Sequence, residues 1–239
     1  MLQLRHLKTG ALVLALMPSA VAQGQAVLPA VLAGLEGNVN NGYPFDCSAF
    51  GIPSMRYQQV YLGSEVGTGD IHELRFRKDG SCGGGFGPQV IPNVTIQLSS
   101  TTTAHPFGSS GGLSSTFANN IGPDATTIFA GDLILSSIGD QAAPHPFDIV
   151  IPLRQRFFFD SSTGANLLLD VRLPTCGLTT CLDAHLEADD GVARAYAFDH
   201  TSPAANFQDT YGLVTQIVFW LFEDGFESGD TSAWSFTEP

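Results

Sequence analysis

The sequence predicts an all-β protein: a two-sheet antiparallel sandwich, jelly-roll-like, with about ten strands and one short helix. Three observations predict it. Apolar and polar residues alternate along several segments, as they do when successive side chains point to opposite faces of a half-buried strand. Short runs of Gly, Pro, Asn, Asp and Ser separate those segments. Helical spacing is scarce. The chain has 239 residues, a length that one large all-β domain can fill.

In chain order, residues 1–22 read as a secretory signal peptide. Arg5 and Lys8 precede an apolar stretch from Ala11 to Met17, and Ala20-Val21-Ala22 supplies the small residues of a cleavage site before Gln23. The apolar run is shorter than the ~20 residues a spanning helix needs. Residues 23–53 read as an N-terminal linker or edge segment, with an edge strand at Val27–Leu32. Within them Gly42–Pro53, carrying Tyr43, Phe45, Cys47 and Phe50, reads as a tied-down loop. Residues 54–222 form the predicted β-sandwich domain.

Its clearest strands are Val94–Leu98, Phe147–Leu153, Leu167–Leu173 and Leu182–Ala188, each with period-2 alternation. Further strands are expected at Gln58–Leu62, His72–Arg77, Ile128–Leu135, Arg156–Phe159, Val192–Phe198 and Leu213–Phe222. Pro152 places its strand at an edge or at a bend. Leu113–Asn120 is the helix candidate, with Leu113 and Phe117 one turn apart and Gly122 to end it. Gly83-Gly84-Gly85 and Ser99–Gly112 read as loops. Residues 223–239 change character: acidic, Gly- and Ser-bearing, with Phe226, Trp234 and Phe236 spaced along a tail.

The formal net charge is −13, and loss of the signal removes two basic residues and no acid, leaving −15. Such a surface disfavours nucleic acid and anionic membranes, which need a cationic face. The tail has no apolar helix or basic end, so no transmembrane anchor is expected after signal cleavage. Cys47, Cys82, Cys176 and Cys181 are even in number, which in an exported chain implies two disulfides with three connectivities. We favour the local pairs Cys47–Cys82 and Cys176–Cys181. A zinc site lacks the C-x-x-C spacing and paired His it needs.

Three stretches carry a resemblance. They are Arg56-Tyr57-Gln58-Gln59-Val60-Tyr61; the Asn93–Ser99 strand with Leu113-Ser114-Ser115-Thr116-Phe117-Ala118-Asn119-Asn120; and Pro146-Phe147-Asp148-Ile149 through Gly164-Ala165-Asn166 to Arg172. Together they resemble a group of uncharacterised secreted bacterial β-sandwich proteins, some of which end in PEP-CTERM-type sorting anchors. The resemblance spans Gln58 to Phe219 and implies an exported sandwich with no established activity. The chain lacks Pro-Glu-Pro followed by a membrane helix. Its Asp224-Gly225-Phe226-Glu227-Ser228-Gly229-Asp230 with Trp234 is instead similar to short tails on exported Gram-negative proteins.

Motifs for familiar chemistry are absent: H-E-x-x-H, G-x-S-x-G, a P-loop, a dinucleotide fingerprint and an EF-hand loop. Candidate ligand-binding residues are Asp183, His185 and Glu187 on one face of a strand, and Asp170 and Arg172 on one face of another. Such a row of acids with an imidazole is able to bind a cation or a sugar, and a solvated outer face is the plainer reading. Asp189-Asp190-Gly191 reads as a hairpin turn, or as a Ca²⁺ site if Asp199 or Asp209 supplies oxygens from a second loop. No other cofactor is expected. His105-Pro106-Phe107 and His145-Pro146-Phe147 read as two similar loop-to-strand corners. Asn93-Val94-Thr95 matches a glycosylation sequon but reads as a strand start.

Carbohydrate-binding sandwiches stack sugar rings on exposed aromatics; Tyr57, Tyr61, Tyr196, Tyr211 and Trp220 are candidates, most of them expected in the core. The functional expectation is a secreted, non-catalytic extracellular or cell-surface protein that binds polysaccharide or a surface. The alternative is a polysaccharide hydrolase or lyase using paired carboxylates. A third reading is a sorting cargo recognised through its tail. A cleft with two carboxylates about 5–9 Å apart favours the enzyme, and an exposed aromatic platform favours the binder.

Overall fold

The computed structural model describes residues 24–103, 112–139 and 142–220. The expected signal peptide, the C-terminal tail, most of the Ser99–Gly112 loop and His105 lie outside them. The described residues form an all-β fold whose strands pair antiparallel throughout. In chain order these are β1 (Gly24–Leu28), β2 (Val39–Asn41), β3 (Met55–Tyr61), β4 (Gly69–Phe76), β5 (Phe86–Thr101), β6 (Thr126–Ser137), β7 (Ile149–Phe159), β8 (Asn166–Leu173), β9 (Leu182–Leu186), β10 (Val192–Ala197), β11 (Phe207–Asp209), β12 (Tyr211–Leu213) and β13 (Thr215–Phe219). A four-stranded sheet runs β1-β13-β4-β7, and a six-stranded sheet runs β11-β10-β3-β8-β5-β6.

These two sheets share one core. Ile71, Leu74, Ile149, Ile151 and Ile217 from the first meet Tyr57, Ile96, Leu98, Leu169 and Val171 from the second. The sandwich therefore holds, with one addition: a third sheet, β12-β9-β2, places Leu182, Ala184 and Leu213 in the same core. The chain keeps crossing between sheets, so among the described strands only β5–β6 and β10–β11 are sequence neighbours that also pair. The N-terminal segment belongs to the fold, with β1 an edge strand against β13 (Ala26↔Ile217).

Several elements differ from the sequence expectation. β1 stops at Leu28, before Pro29, and Ala30–Leu32 forms a 3-10 turn instead of continuing the strand; Pro lacks the N–H a ladder needs. The two strands expected at Phe147–Leu153 and Arg156–Phe159 are one, β7, and Pro152 does lie on an edge strand. The helix expected at Leu113–Asn120 is reduced to a 3-10 turn, Phe117–Asn120. Asn120 explains this: its Oδ1 accepts from Ser114 N at 2.7 Å and its Nδ2 donates to Ser114 O at 2.9 Å, bonds that compete with a helical ladder. The short helix is elsewhere, α1 (Gly63–Val66), one turn between β3 and β4.

The favoured disulfide pairing is corrected. The bridges are Cys47–Cys176, with Cα atoms 5.4 Å apart, and Cys82–Cys181, with Cα atoms 6.1 Å apart. Strand register decides this, not proximity in sequence. β3 pairs with β8 (Met55↔Leu173), which brings the loop before β3 beside the loop after β8; Cys176 N donates to Pro53 O at 2.9 Å and Ser48 N to Gly177 O at 3.0 Å. The chain after β4 meets the start of β9 in the same way, with Asp79 N donating to Cys181 O at 3.2 Å. Among the described residues no helix is long and apolar enough to cross a membrane.

Candidate functional site

The two polar strand faces lie in different sheets, and each is only partly the solvated surface the sequence suggested: Asp170 and Asp183 are buried, whereas Glu187 and the Arg172 side chain are exposed. Asp170, on β8, is 2% exposed. It accepts from Arg56 Nη2 at 2.7 Å and Gln58 Nε2 at 3.0 Å, while Arg172 Nη2 stands 3.8 Å away. Two coil segments cover this outer face. Leu113 and Phe117 pack on Val60, Leu168 and the alanines of β10, and Arg56 Nη1 donates to Ser202 O at 3.3 Å. Arg56 also lies over the Phe117 ring, 4.4 Å from its centre. The polar row therefore staples irregular chain to the sheet.

Asp183, on β9, is fully buried. It accepts from Arg77 Nε at 2.6 Å and Gly37 N at 2.9 Å. Burial pushes its carboxyl pKa up, and Arg77 and Gly37 pull against that without cancelling it. His185 Nδ1 is 2.8 Å from Asp190 Oδ2, and Glu187 is exposed.

The Asp189-Asp190-Gly191 turn joins β9 to β10, which belong to different sheets, so it is not a hairpin. Asp190 Oδ1 accepts from Val192 N at 3.0 Å. Asp209 pairs with Arg194 and Asp199 with Thr201, so neither expected second-loop carboxylate is directed to Asp190. Tyr57 and Tyr61 are fully buried, and burial raises both phenols. Trp220 packs against His72 with ring centres 4.5 Å apart and planes tilted by 39°, and stays 40% exposed.

The fold instead assembles a site where the outer edge of the six-stranded sheet meets the three-stranded sheet. β10 alternates Ala193, Ala195 and Ala197 on one face with Arg194 and Tyr196 on the other. Its partner β11 puts Asp209 opposite Arg194 and Phe207 opposite Tyr196. Directly opposed residues interact most strongly. Arg194 Nε donates to Asp209 Oδ1 at 2.6 Å and Nη2 to Oδ2 at 3.1 Å, and Tyr196 stacks on Phe207 with centroids 5.3 Å apart.

Asp209 Oδ1 also accepts from Tyr211 N at 2.9 Å, which fixes the step into β12. The Arg194 guanidinium lies 4.5 Å from the Tyr211 ring centre and 4.8 Å from that of Tyr196, within cation–π range. From the loop after β2, Tyr43 stands 5.2 Å from Tyr196 and 5.3 Å from Phe50, ring centre to ring centre. Burial raises the phenol pKa values of Tyr43, Tyr196 and Tyr211, and Arg194 partly offsets this.

These side chains line a cavity of about 400 Å³, with Asn40 and Asn41 in its wall. Phe50 at its rim is 61% exposed. A second cavity of about 420 Å³ shares Asn40 and Tyr211, and Glu36, Asp79 and Ser81 line it. Tyr211 Oη donates to Asn40 O along the shared wall. Oxygens of Glu36, Asp79 and Asp183 lie within 4.8 Å of one another. Each already serves the backbone: Glu36 accepts from Gly80 N, Asp79 from Ser81 N at 2.7 Å, and Asp183 from Gly37 N. Gly37 permits that approach, since a Cβ there would stand 2.0 Å from Ala184 O.

Of the aromatic platform candidates, Tyr196 and Tyr211 belong to this site. Sequence reasoning missed Asn41, Tyr43, Phe50, Arg194 and Phe207. One signal was available: Ala-Arg-Ala-Tyr-Ala places two large polar-tipped residues on a single strand face. The chain matches no protein-family model, no curated protein and no solved structure.

Proposed function

We propose that this is a secreted, non-catalytic carbohydrate-binding protein and that the aromatic cavity holds the sugar. The observation that carries the reading is the combination in one cavity of accessible rings (Tyr43, Phe50, Tyr211) with the two-bond Arg194–Asp209 pair, its guanidinium buried and its carboxylate partly exposed. Apolar ring faces with a few fixed polar groups are what a small-molecule pocket needs for affinity and orientation. The Cys47–Cys176 bridge closes the loop that carries Tyr43 and Phe50, so part of the platform is covalently anchored. Two disulfides fit an oxidising compartment, in agreement with the signal-like first 22 residues and the resemblance to secreted bacterial sandwiches.

The hydrolase reading has one observation in its favour, the closeness of Glu36 and Asp79 in the adjoining cavity, near the separation of retaining glycosidases, about 5–5.5 Å. Their bonds to Gly80 N and Ser81 N make them turn-closing groups in our reading. Glycan-array screening of the exported chain, repeated with Phe50→Ala and Tyr43→Ala, tests the proposal. Retention of one glycan class, lost in both variants, supports it. Absence of any retained glycan refutes it, and turnover of a polysaccharide that E36Q abolishes establishes the hydrolase instead.

A further inference from the structure

The ring contacts of the aromatic cavity continue past its wall. Phe198 and Phe207 do not line the cavity, yet both touch rings that do. Phe207 lies 5.3 Å from Tyr196, and Phe198 lies 5.8 Å from Tyr196 and 6.0 Å from Tyr43, centre to centre. The two phenylalanines are 5.6 Å from each other. They stay 38% and 49% exposed. Contiguous exposed apolar surface of this kind marks a place where something binds.

Strand pitch sets the length of the row. Arg194 and Tyr196 point the same way from β10, and Phe198 comes directly after that strand, two residues further on. Four residues at ~3.3 Å each put Phe198 roughly 13 Å along the chain from Arg194. The connection to β11 is tied down: Phe198 N donates to Asn206 Oδ1 at 3.0 Å, and Asn206 N to Tyr196 O at 2.8 Å. Both exposed rings are thus held in place by the fold, and little entropy is lost when a ligand covers them.

A cavity of about 400 Å³ suits a ligand of small-molecule size. Two further exposed rings outside it suit a ligand that continues. A linear polysaccharide does so, since each unit repeats an apolar ring face and a hydroxyl edge. A polar contact for that edge is present beside the rings. The Asp209 carboxylate accepts from Arg194 twice and from Tyr211 N, yet stays partly exposed. A carboxylate has about four lone-pair sites, so one remains for a hydroxyl. We infer, on the carbohydrate-binding reading above, that the ligand is a linear polysaccharide gripped along its length, running from the cavity across Phe198 and Phe207.

Its test is a chain-length series with the full exported chain, by titration calorimetry. The probes are the di-, tetra- and hexasaccharides of β-1,4-linked glucose, mannose, xylose and N-acetylglucosamine, and of any other linear homopolymer that the array retains. In the class that binds, affinity rises about tenfold or more from disaccharide to hexasaccharide, the scale of one further ring contact. Phe198→Ala, at an exposed position, brings the hexasaccharide down to the disaccharide level. The series on the unaltered chain decides the matter even if that variant fails to fold.

Three results overturn the inference and leave the sugar-binding reading standing: a hexasaccharide bound no tighter than its disaccharide, retention of monosaccharides or branched glycans alone, or a folded Phe198→Ala that keeps the full length dependence. Retention of no glycan overturns both readings. If the chain then self-associates and Phe198→Ala prevents it, the exposed rings belong to a contact between two copies.

Discussion

Removal of the Asp183 carboxylate is the sharpest test of how this fold is held. Arg77 and Asp183 are 1% and 0% exposed, and they are joined by two contacts of 2.6 Å. Asp183→Ala leaves the Arg77 guanidinium buried with the carbonyls of Leu32 and Leu35 and the Phe147 ring as its company. It also strands Gly37 N. Breaking a buried pair by deleting one partner costs about 3–5 kcal/mol, because the surviving charge is uncompensated. For a domain of this size that corresponds to about 6–20 °C in Tm.

Replacing both members, Arg77→Met with Asp183→Leu, removes the stranded charge and restores at least about 2 kcal/mol relative to the single variant. Urea unfolding followed by circular dichroism measures both. Hydrogen exchange at Gly37 accelerates in the single variant, because Asp183 is what its N–H donates to. A cost below about 1 kcal/mol for Asp183→Ala, or a double variant less stable than the single, refutes the argument.

Three further outcomes follow from the structure. Digestion of the non-reduced chain with trypsin and chymotrypsin, which cuts after the exposed Leu178, yields Cys47 linked to Cys176 and Cys82 linked to Cys181. Replacing Cys82 and Cys181 by Ser costs about 4 kcal/mol, since the circuit closed through the first bridge is roughly 40 residues. His72 is desolvated against Trp220 and its pKa is lowered, with Arg75 and Arg156 acting in the same direction and Glu73 opposing. The unfolded chain therefore takes up that proton first as pH falls below the ordinary histidine value of about 6.5. Stability is lost across that window. In His72→Phe this loss disappears, so the Tm advantage of the unaltered chain shrinks between pH 7.5 and 5.5; a constant difference refutes the assignment.

The alternation in Leu167–Leu173 located β8 and its inner face correctly, because that face packs against a regular sheet and so must keep period 2. The same pattern misreported the outer face. Asp170 is polar yet buried, since its covering comes from residues 113–121 and 199–205, coil without a period of its own. Alternation tells which residues share a face and says nothing of what irregular chain lies over it. The disulfides failed for a related reason. Gly, Ser and Thr beside each cysteine made local bridges reasonable, but β3–β8 register places residue 47 beside residue 176. The site was half legible: Arg194 and Tyr196 share a strand face, whereas Tyr43 joins them from about 150 positions away, through a loop whose place depends on the third sheet.

That third sheet also explains why a cavity forms at this seam. β11 and β12 are three residues each, separated only by the buried Thr210, yet they belong to different sheets. A strand passing from one sheet to the next cannot continue either ladder across the step, so polar groups are left there for side chains to satisfy. Asp209 does this on one side, accepting from Tyr211 N while holding Arg194. Asn41 does it on the other, accepting from Tyr43 N. Both side chains are thereby fixed by backbone bonds at the mouth of the gap between sheets, with Tyr43, Tyr196 and Tyr211 around them. Rigidity of this kind serves recognition, because groups already immobilised by the fold lose little entropy when a ligand arrives. The polar and aromatic residues at the seam thus have a structural reason to be ordered before any ligand is present.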